Sequence, residues 1–161
     1  MVHIDQHQWA TRLRAVPDSF RTALHGVDDG ALRQRPAPGE WSAIEVLGHM
    51  IDKMQEWTRR VERVAVEERP PLAGYDQDAL VRERAYQRAD PEVLLAQLAD
   101  ACDRFAAVVE RLPDDALRRQ GVHGEYGPVT IRRCVEAPLA SVPDHMAQLT
   151  AAWAPTSSRE T

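Results

Sequence analysis

Apolar residues recur at spacings of three and four along most of the chain, whereas the alternation typical of strands is nearly absent. This pattern predicts long amphipathic helices over roughly 4–26, 42–69, 90–112 and 130–153 and a short helical segment over 76–88. The segments 28–40, 69–75 and 118–129 are expected to be loops. The predicted fold class is therefore all-α, a four-helix bundle with additional short helical segments in the connections.

Three of the predicted helices have clear start signals. Ser42 followed three residues later by Glu45 forms a capping box, and Asp90 and Thr130 are suited to cap the third and fourth long helices. Three prolines lie inside the helical pattern, where each removes a backbone hydrogen bond. We expect Pro17 to kink the first helix or to start a second segment, and we expect a bend or a locally widened turn at Pro138 and Pro143.

Composition and charge indicate one globular domain over residues 1–154, followed by a C-terminal tail over 155–161. The net charge is -5 and the basic residues are interleaved with acids, so no nucleic-acid partner is expected. No apolar run is long enough to span a membrane and no secretory signal is present, which favours a cytoplasmic location without a membrane partner. Cys102 and Cys134 are expected to be buried, reduced thiols.

Two histidines on different predicted helices are the main candidates for chemistry. His49 lies on the flank of the second long helix, beside Asp52 and Lys53, and His145 lies on the last helix. A second histidine one turn before His145 would give a zinc or nickel pair, but Ser141 occupies that position. A serine hydroxyl is a poor ligand for these metals, although it can hold a metal-bound water.

Three carboxylates are candidates to replace the missing histidine ligand. Asp52 is the best placed carboxylate because it lies one turn from His49, ahead of Glu136 and Asp144. For each of these carboxylates, an exposed helix acid that pairs with an arginine is the better-supported role. The histidine of the 118–129 loop, His123, is expected to be solvated.

Two segments of the chain resemble signatures of the DinB-like superfamily. The first is Pro38-Gly39-Glu40-Trp41-Ser42 leading to Glu45-Val46-Leu47-Gly48-His49-Met50. The second is Tyr126-Gly127-Pro128-Val129-Thr130, followed by His145-Met146-Ala147-Gln148-Leu149. The resemblance covers residues 8–153 and implies a cytosolic four-helix bundle that is usually a homodimer.

The resemblance also implies a divalent metal, zinc or nickel, held by three histidines. Carried over, the first ligand falls on His49 and the last on His145, and the middle ligand falls on Ser141, which departs from the family pattern. Related proteins include S-transferases that use a low-molecular-weight thiol, and maleylpyruvate isomerases.

Two hypotheses about function follow. The first is a metal-dependent enzyme acting on a small molecule, of thiol transferase or hydrolase-like type, with His49, His145 and either Asp52 or a water beside Ser141 around the metal. The alternative is a metal-free helical bundle that binds a small ligand or a partner without catalysis.

Overall fold

The computed structural model describes residues 4–153, so the predicted tail over 155–161 lies outside the described residues. Six α-helices are present in this part of the chain: α1 (Ile4–Leu24), α2 (Asp29–Leu32), α3 (Ala43–Val66), α4 (Gln77–Glu83), α5 (Pro91–Arg111) and α6 (Ile131–Ala151). Two short 3-10 helices lie at Tyr86–Arg88 and Asp114–Arg118. The predicted all-α bundle is confirmed, and none of the described helices is long and apolar enough to cross a membrane.

The four long helices form the bundle in an order that differs from their order in the chain. Helix α1 packs on α5 and α6, and α3 also packs on α5 and α6. The consecutive long helices α1 and α3 therefore lie diagonally across the bundle, joined by a connection that contains α2. Because of this arrangement α3 and α6 are neighbours, which is what brings the two candidate histidines to one interface.

The predicted helix starts are confirmed by their side-chain hydrogen bonds. Ser42 accepts from the backbone of Glu45 while the Glu45 carboxylate accepts from the backbone of Ser42, which is the predicted capping box. Asp90 caps α5 by accepting from the backbone of Glu92 and Val93, and Thr130 caps α6 by accepting from the backbone of Arg133. Helices α1 and α6 each continue through their internal prolines as single elements.

A three-stranded sheet occupies two segments that we expected to be loops. Strand β1 (Pro71–Leu72) pairs in parallel with β2 (Gln120–His123), which pairs antiparallel with β3 (Gly127–Thr130). Gly121 allows β2 to lie close to β1 and to α3, since a Cβ there would come within 2.8 Å of the Leu72 side chain and 3.0 Å of Val64. Strands of two to four residues are too short to show alternation, and β1 pairs with a segment that lies far along the chain.

The expectation of a solvated His123 is wrong. Its side chain is 9% exposed and its ring stacks on Tyr126 at a centroid distance of 4.7 Å. The Nδ1 atom accepts hydrogen bonds from the backbone of Glu125 at 3.1 Å and of Tyr126 at 3.3 Å. His123 therefore stabilises the turn between β2 and β3.

The core lies between the four long helices and includes both cysteines, as predicted. Burial raises the pKa of the Cys102 thiol to about 12 and that of Cys134 to about 11. A thiol of such high pKa is protonated at neutral pH and is a poor nucleophile or metal ligand. The two cysteines are therefore structural.

Candidate metal centre

The two candidate histidines meet at the interface between α3 and α6. The ring centroids of His49 and His145 lie 4.8 Å apart with an interplanar angle of 64°. On its other side His49 contacts the ring of Trp41 at 4.6 Å. His49 is 1% exposed, and its Nε2 atom is buried without a hydrogen-bond partner among the described residues. The pair of His49 and His145 is called the histidine pair below.

Lys53 completes this cluster, one helical turn after His49 on α3. Its Nζ atom lies 3.4 Å from Nε2 of His145, and the Nδ1 atom of the same ring lies 3.2 Å from Oε1 of Gln148. Because an amide oxygen can only accept, Nδ1 of His145 carries the proton and Nε2 presents its lone pair to the Lys53 ammonium. The contacts of His145 thus fix one tautomer of its ring.

Burial determines the protonation of the histidine pair. It lowers the pKa of His49 to about 3, with smaller contributions from the positive charges of His145 and Lys53. Burial also lowers the pKa of His145, Lys53 adds to that effect, and Gln148 and Asp144 oppose it. The pKa of Lys53 is lowered by burial and partly restored by Asp144. The histidine pair is neutral at neutral pH, which is the form that can donate a lone pair.

The position of the expected third ligand offers no strong donor. Ser141 lies one turn before His145 on α6, and its hydroxyl donates to the carbonyl of Pro138 at 2.7 Å. Within residues 4–153, no group of three or more histidine, cysteine, aspartate or glutamate side chains is arranged to hold a metal ion. Water-mediated ligation through Ser141 stays a prediction.

Asp52, the predicted replacement carboxylate, is held by other partners. Its Oδ1 atom accepts from the hydroxyl of Tyr86 at 2.8 Å and pairs with Nε of Arg84 at 2.9 Å. Burial raises the pKa of Asp52, and Tyr86 and Arg84 oppose that rise. These contacts link the segment after α4 to α3. The Asp52 carboxylate does not form a set of metal ligands with the histidine pair.

The two weaker carboxylate candidates also stay apart from the histidine pair. Glu136 pairs with Arg132 on the preceding turn of α6, as expected for a surface acid. Asp144 is exposed and acts on Lys53 and His145 through its charge. Neither carboxylate completes a set of three ligands.

The described residues therefore do not fit a tightly held divalent metal. A catalytic zinc is usually held by three protein ligands, and here two neutral imidazoles are accompanied by a serine hydroxyl and an ammonium group. The ammonium adds a positive charge beside the lone pair that a metal would need. The role of His49 and His145 as metal ligands stays a prediction.

A groove adjoins the histidine pair. It has a volume of about 450 Å³ and is bounded by Trp41, which contacts His49, and by Gln148, which contacts His145. The rest of its wall is formed by Pro36, Gly39, Glu40, Asp78 and Ala151. A larger cavity of about 610 Å³ lies between α3 and α5, and neither histidine lines it. The two histidines do not line the first groove either, and it is linked to them through Trp41 and Gln148.

No role is predicted for Lys53 from the sequence, although it lies in this site. It is the only lysine in a chain whose other cations are arginines, and it lies four residues after His49 on the same helix face. Both signals were available in the sequence. What the sequence could not show is that the ammonium contacts His145 on another helix.

Helical-bundle proteins build their metal and ligand sites from side chains on facing helices, and the histidine pair lies in such a place. Residues 12–149 match the sequence model of the DinB superfamily, and the chain belongs to this superfamily. The predicted family is thereby confirmed, and so is the bundle fold that it implies.

Relatives of the chain carry names that refer to metals. "Putative metal-dependent hydrolase YfiT" from Bacillus subtilis (strain 168) is 28% identical over 76% of this chain and 67% of the relative. A "Putative metal-dependent hydrolase" from Geobacillus thermodenitrificans (strain NG80-2) is 22% identical over 71% of this chain and 65% of the relative. The chain spans about two thirds of the length of these relatives.

A solved structure has the same fold. YfiT from Bacillus subtilis, described as "a probable metal-dependent hydrolase with an unusual four-helix bundle topology", superposes with a TM-score of 0.84. The superposition covers 94% of this chain and 88% of that chain, at 23% sequence identity. At this identity the similarity establishes the fold and nothing about chemistry.

Proposed function

We propose that this member of the DinB superfamily binds a small molecule in the groove beside the histidine pair and holds no divalent metal there. The observation that carries the proposal is Ser141, which stands where a third ligand would be and donates its hydroxyl to the carbonyl of Pro138. Two imidazoles without a third donor form an incomplete site for zinc or nickel.

The groove itself has the features of a small-molecule site. Trp41 offers an aromatic wall, and Gln148, Glu40 and Asp78 supply polar groups in the lining. Small-molecule sites combine apolar or aromatic walls with a few polar groups that orient the ligand. The neutral histidine pair adds groups that can donate or accept a hydrogen bond without carrying charge.

The absence of a metal is tested on protein purified without a histidine tag. After incubation with Zn²⁺ or Ni²⁺ and removal of free metal, we expect less than about a tenth of an equivalent in the parent protein. Ser141→His should raise the bound metal, and the matched control Ser141→Ala should not. A full equivalent of metal in the parent, lost in His49→Ala and in His145→Ala, would contradict the proposal.

Ligand binding is tested separately by NMR. The chain has four tryptophans, so its indole N–H groups give four signals, and Trp41→Phe identifies the one beside the groove. In a screen of small organic molecules, hits should shift the Trp41 signal selectively. Hits that shift only the other indole signals would place binding elsewhere and contradict the proposed site.

A second candidate function is the metal-dependent enzyme of hydrolase or thiol S-transferase type. The observation that favours it is Nε2 of His49, which is buried and unpartnered in the described structure, as a metal-binding atom would be before it meets its ion. The names of the relatives point in the same direction. Stoichiometric metal in the parent protein would select this candidate over the first.

The other predictions from the sequence are kept as proposals. A homodimer is tested by sedimentation velocity at several protein concentrations. Use of a low-molecular-weight thiol is tested by adding such thiols to the NMR screen, with a selective shift of the Trp41 indole signal as the expected result. A cytoplasmic location is tested by fractionating cells that express the full chain.

A further inference from the structure

The groove bounded by Trp41 and Gln148 has negative charge in its wall. Among the described residues that line it, Glu40 and Asp78 are acids, and none is a lysine, an arginine or a histidine. We propose that this groove binds a small organic cation of the guanidinium type against the ring of Trp41. This inference rests on the proposed function and adds the chemical class of the ligand to it.

Both carboxylates of the groove are available to a ligand. Glu40 lies in the connection before α3 and Asp78 lies in the first turn of α4, so they reach the groove from different segments of the chain. Both side chains are exposed, and neither forms an ion pair or a side-chain hydrogen bond within residues 4–153. A cation that enters the groove therefore displaces no existing partner of either acid.

Trp41 supplies an aromatic surface that is held in place. Its ring is half-buried and contacts the ring of His49 at 4.6 Å, while the same side chain lines the groove. Burial lowers the pKa of His49 to about 3, so this neighbour brings no positive charge to the indole at neutral pH. Indole has the aromatic face that attracts organic cations most strongly, and the face of Trp41 is not already engaged by a cation of the described chain.

Trp57 shows, within the same molecule, which group completes an indole ring and a carboxylate. The guanidinium carbon of Arg60 lies 4.4 Å from the ring centroid of Trp57. The Nε atom of the same guanidinium forms an ion pair with Oε1 of Glu56 at 3.4 Å. One indole and one carboxylate therefore hold one guanidinium together.

Trp9 repeats this arrangement on another face of the bundle. The guanidinium carbon of Arg132 lies 5.1 Å from the ring centroid of Trp9, and its nitrogens pair with Asp5 at 3.0 Å and with Glu136 at 3.4 Å. The groove of Trp41 has the same two kinds of partner, an indole and two carboxylates, and lacks the cation among the described residues. A ligand that carries a guanidinium group would complete it.

The chemistry of guanidinium suits this wall better than that of a simple ammonium ion. A guanidinium is planar and weakly hydrated, it stacks on aromatic faces, and its N–H donors lie in one plane that matches carboxylates. Oε1 of Gln148 accepts from Nδ1 of His145 and keeps a second lone pair for a further donor. The volume of about 450 Å³ is that of a small-molecule site.

The larger cavity between α3 and α5 is the contrasting case. Arg59, Arg84 and Arg104 line it, so its wall repels a cation. A guanidinium ligand should therefore select the groove of Trp41 over this cavity.

The first experiment titrates the protein with ethylguanidinium and follows the indole N–H signal of Trp41 by NMR. Ethylurea is the matched control ligand, because it has nearly the same shape without the charge. We expect millimolar ethylguanidinium to move the Trp41 signal until it saturates and ethylurea to leave it in place. Added NaCl should weaken the binding, since salt screens the carboxylates. The inference fails if ethylguanidinium does not move this signal, or if ethylurea binds as tightly.

Variants decide whether the two carboxylates cause the binding. In these titrations Glu40→Gln and Asp78→Asn should each weaken ethylguanidinium binding roughly two- to fivefold, and the double variant should weaken it about tenfold. Glu83→Gln is the matched control, because it removes an exposed acid from the other end of α4 and should bind like the parent. Circular dichroism checks that each variant is folded. A folded double variant that binds ethylguanidinium as tightly as the parent would overturn the inference.

Failure of this inference can be distinguished from failure of the proposed function. If neutral molecules from the NMR screen move the Trp41 signal and ethylguanidinium does not, the groove is a small-molecule site and only its preference for a cation is overturned. If neither kind of molecule moves the Trp41 signal, or if the parent protein holds stoichiometric metal, the proposed function itself is overturned.

Discussion

Gly48→Ala should destabilise the protein although alanine is the better helix former. A Cβ at Gly48 would lie 2.2 Å from Cγ and Cδ2 of the Tyr86 ring, far inside van der Waals contact. The ring cannot retreat freely because its hydroxyl donates to Asp52 at 2.8 Å. Helix propensity favours alanine by about 1 kcal/mol, overpacking costs about 1–3 kcal/mol and loss of the Tyr86–Asp52 bond costs about as much again, so we expect a net loss of roughly 1–5 kcal/mol.

The assay is urea unfolding followed by circular dichroism at neutral pH. Gly74→Ala is a matched control because a Cβ at Gly74 meets no atom within 4 Å. In a Tyr86→Ala background the clash is absent, and Gly48→Ala should then stabilise the protein by up to about 1 kcal/mol. The reasoning is refuted if Gly48→Ala is as stable as the parent, or if it costs the same free energy in both backgrounds.

Three further predictions concern buried polar groups. Because the pKa of His49 is about 3 when folded and 6.5 when unfolded, only the unfolded state gains its proton in between. The stability that neutral His49 contributes is complete above pH 6.5 and falls by about 1.4 kcal/mol per pH unit below it. The urea midpoints at pH 7 and pH 5 should therefore differ less in His49→Gln than in the parent. An unchanged difference would contradict the lowered pKa of His49. Tyr86→Phe should lower the free energy of unfolding by about 1–3 kcal/mol, measured by urea unfolding. It should also raise the pKa of Asp52 further, measured by carboxyl NMR, and an unmoved Asp52 signal would argue against the hydrogen bond between Tyr86 and Asp52. Gln6→Met should lower the free energy of unfolding by about 1–3 kcal/mol in the same assay, because the Gln6 amide donates at 2.9 Å to two carbonyls at the end of α5. Stability like that of the parent would show that water satisfies these carbonyls in place of Gln6.

Much of the fold follows from local sequence. The capping box of Ser42 and Glu45 and the caps at Asp90 and Thr130 satisfy backbone groups within three residues, so their partners can be read along the chain. The apolar spacing of three and four fixes which face of each helix is buried. The sheet is not apparent in the apolar pattern because its strands span only two to four residues, and β1 also pairs with a strand far along the chain.

The candidate site was predicted in part. His49 and His145 were singled out from their helix positions and from the family resemblance, and the structure brings their rings together. Asp52 was favoured as a ligand from its spacing to His49, but Tyr86 and Arg84 hold it. Spacing along one helix shows which side chains share a face, and it carries no information about the residues of another segment that engage them.

The four long helices, their caps, His49, His145 and the serine in place of a third ligand can all be identified from local sequence. The position of α3 beside α6 and diagonal to α1 is a property of the helix packing, and it is what lets Lys53 reach Nε2 of His145. Helices form through hydrogen bonds between residues four apart, which nearby sequence specifies, whereas the surroundings of a buried charge depend on which helices pack together.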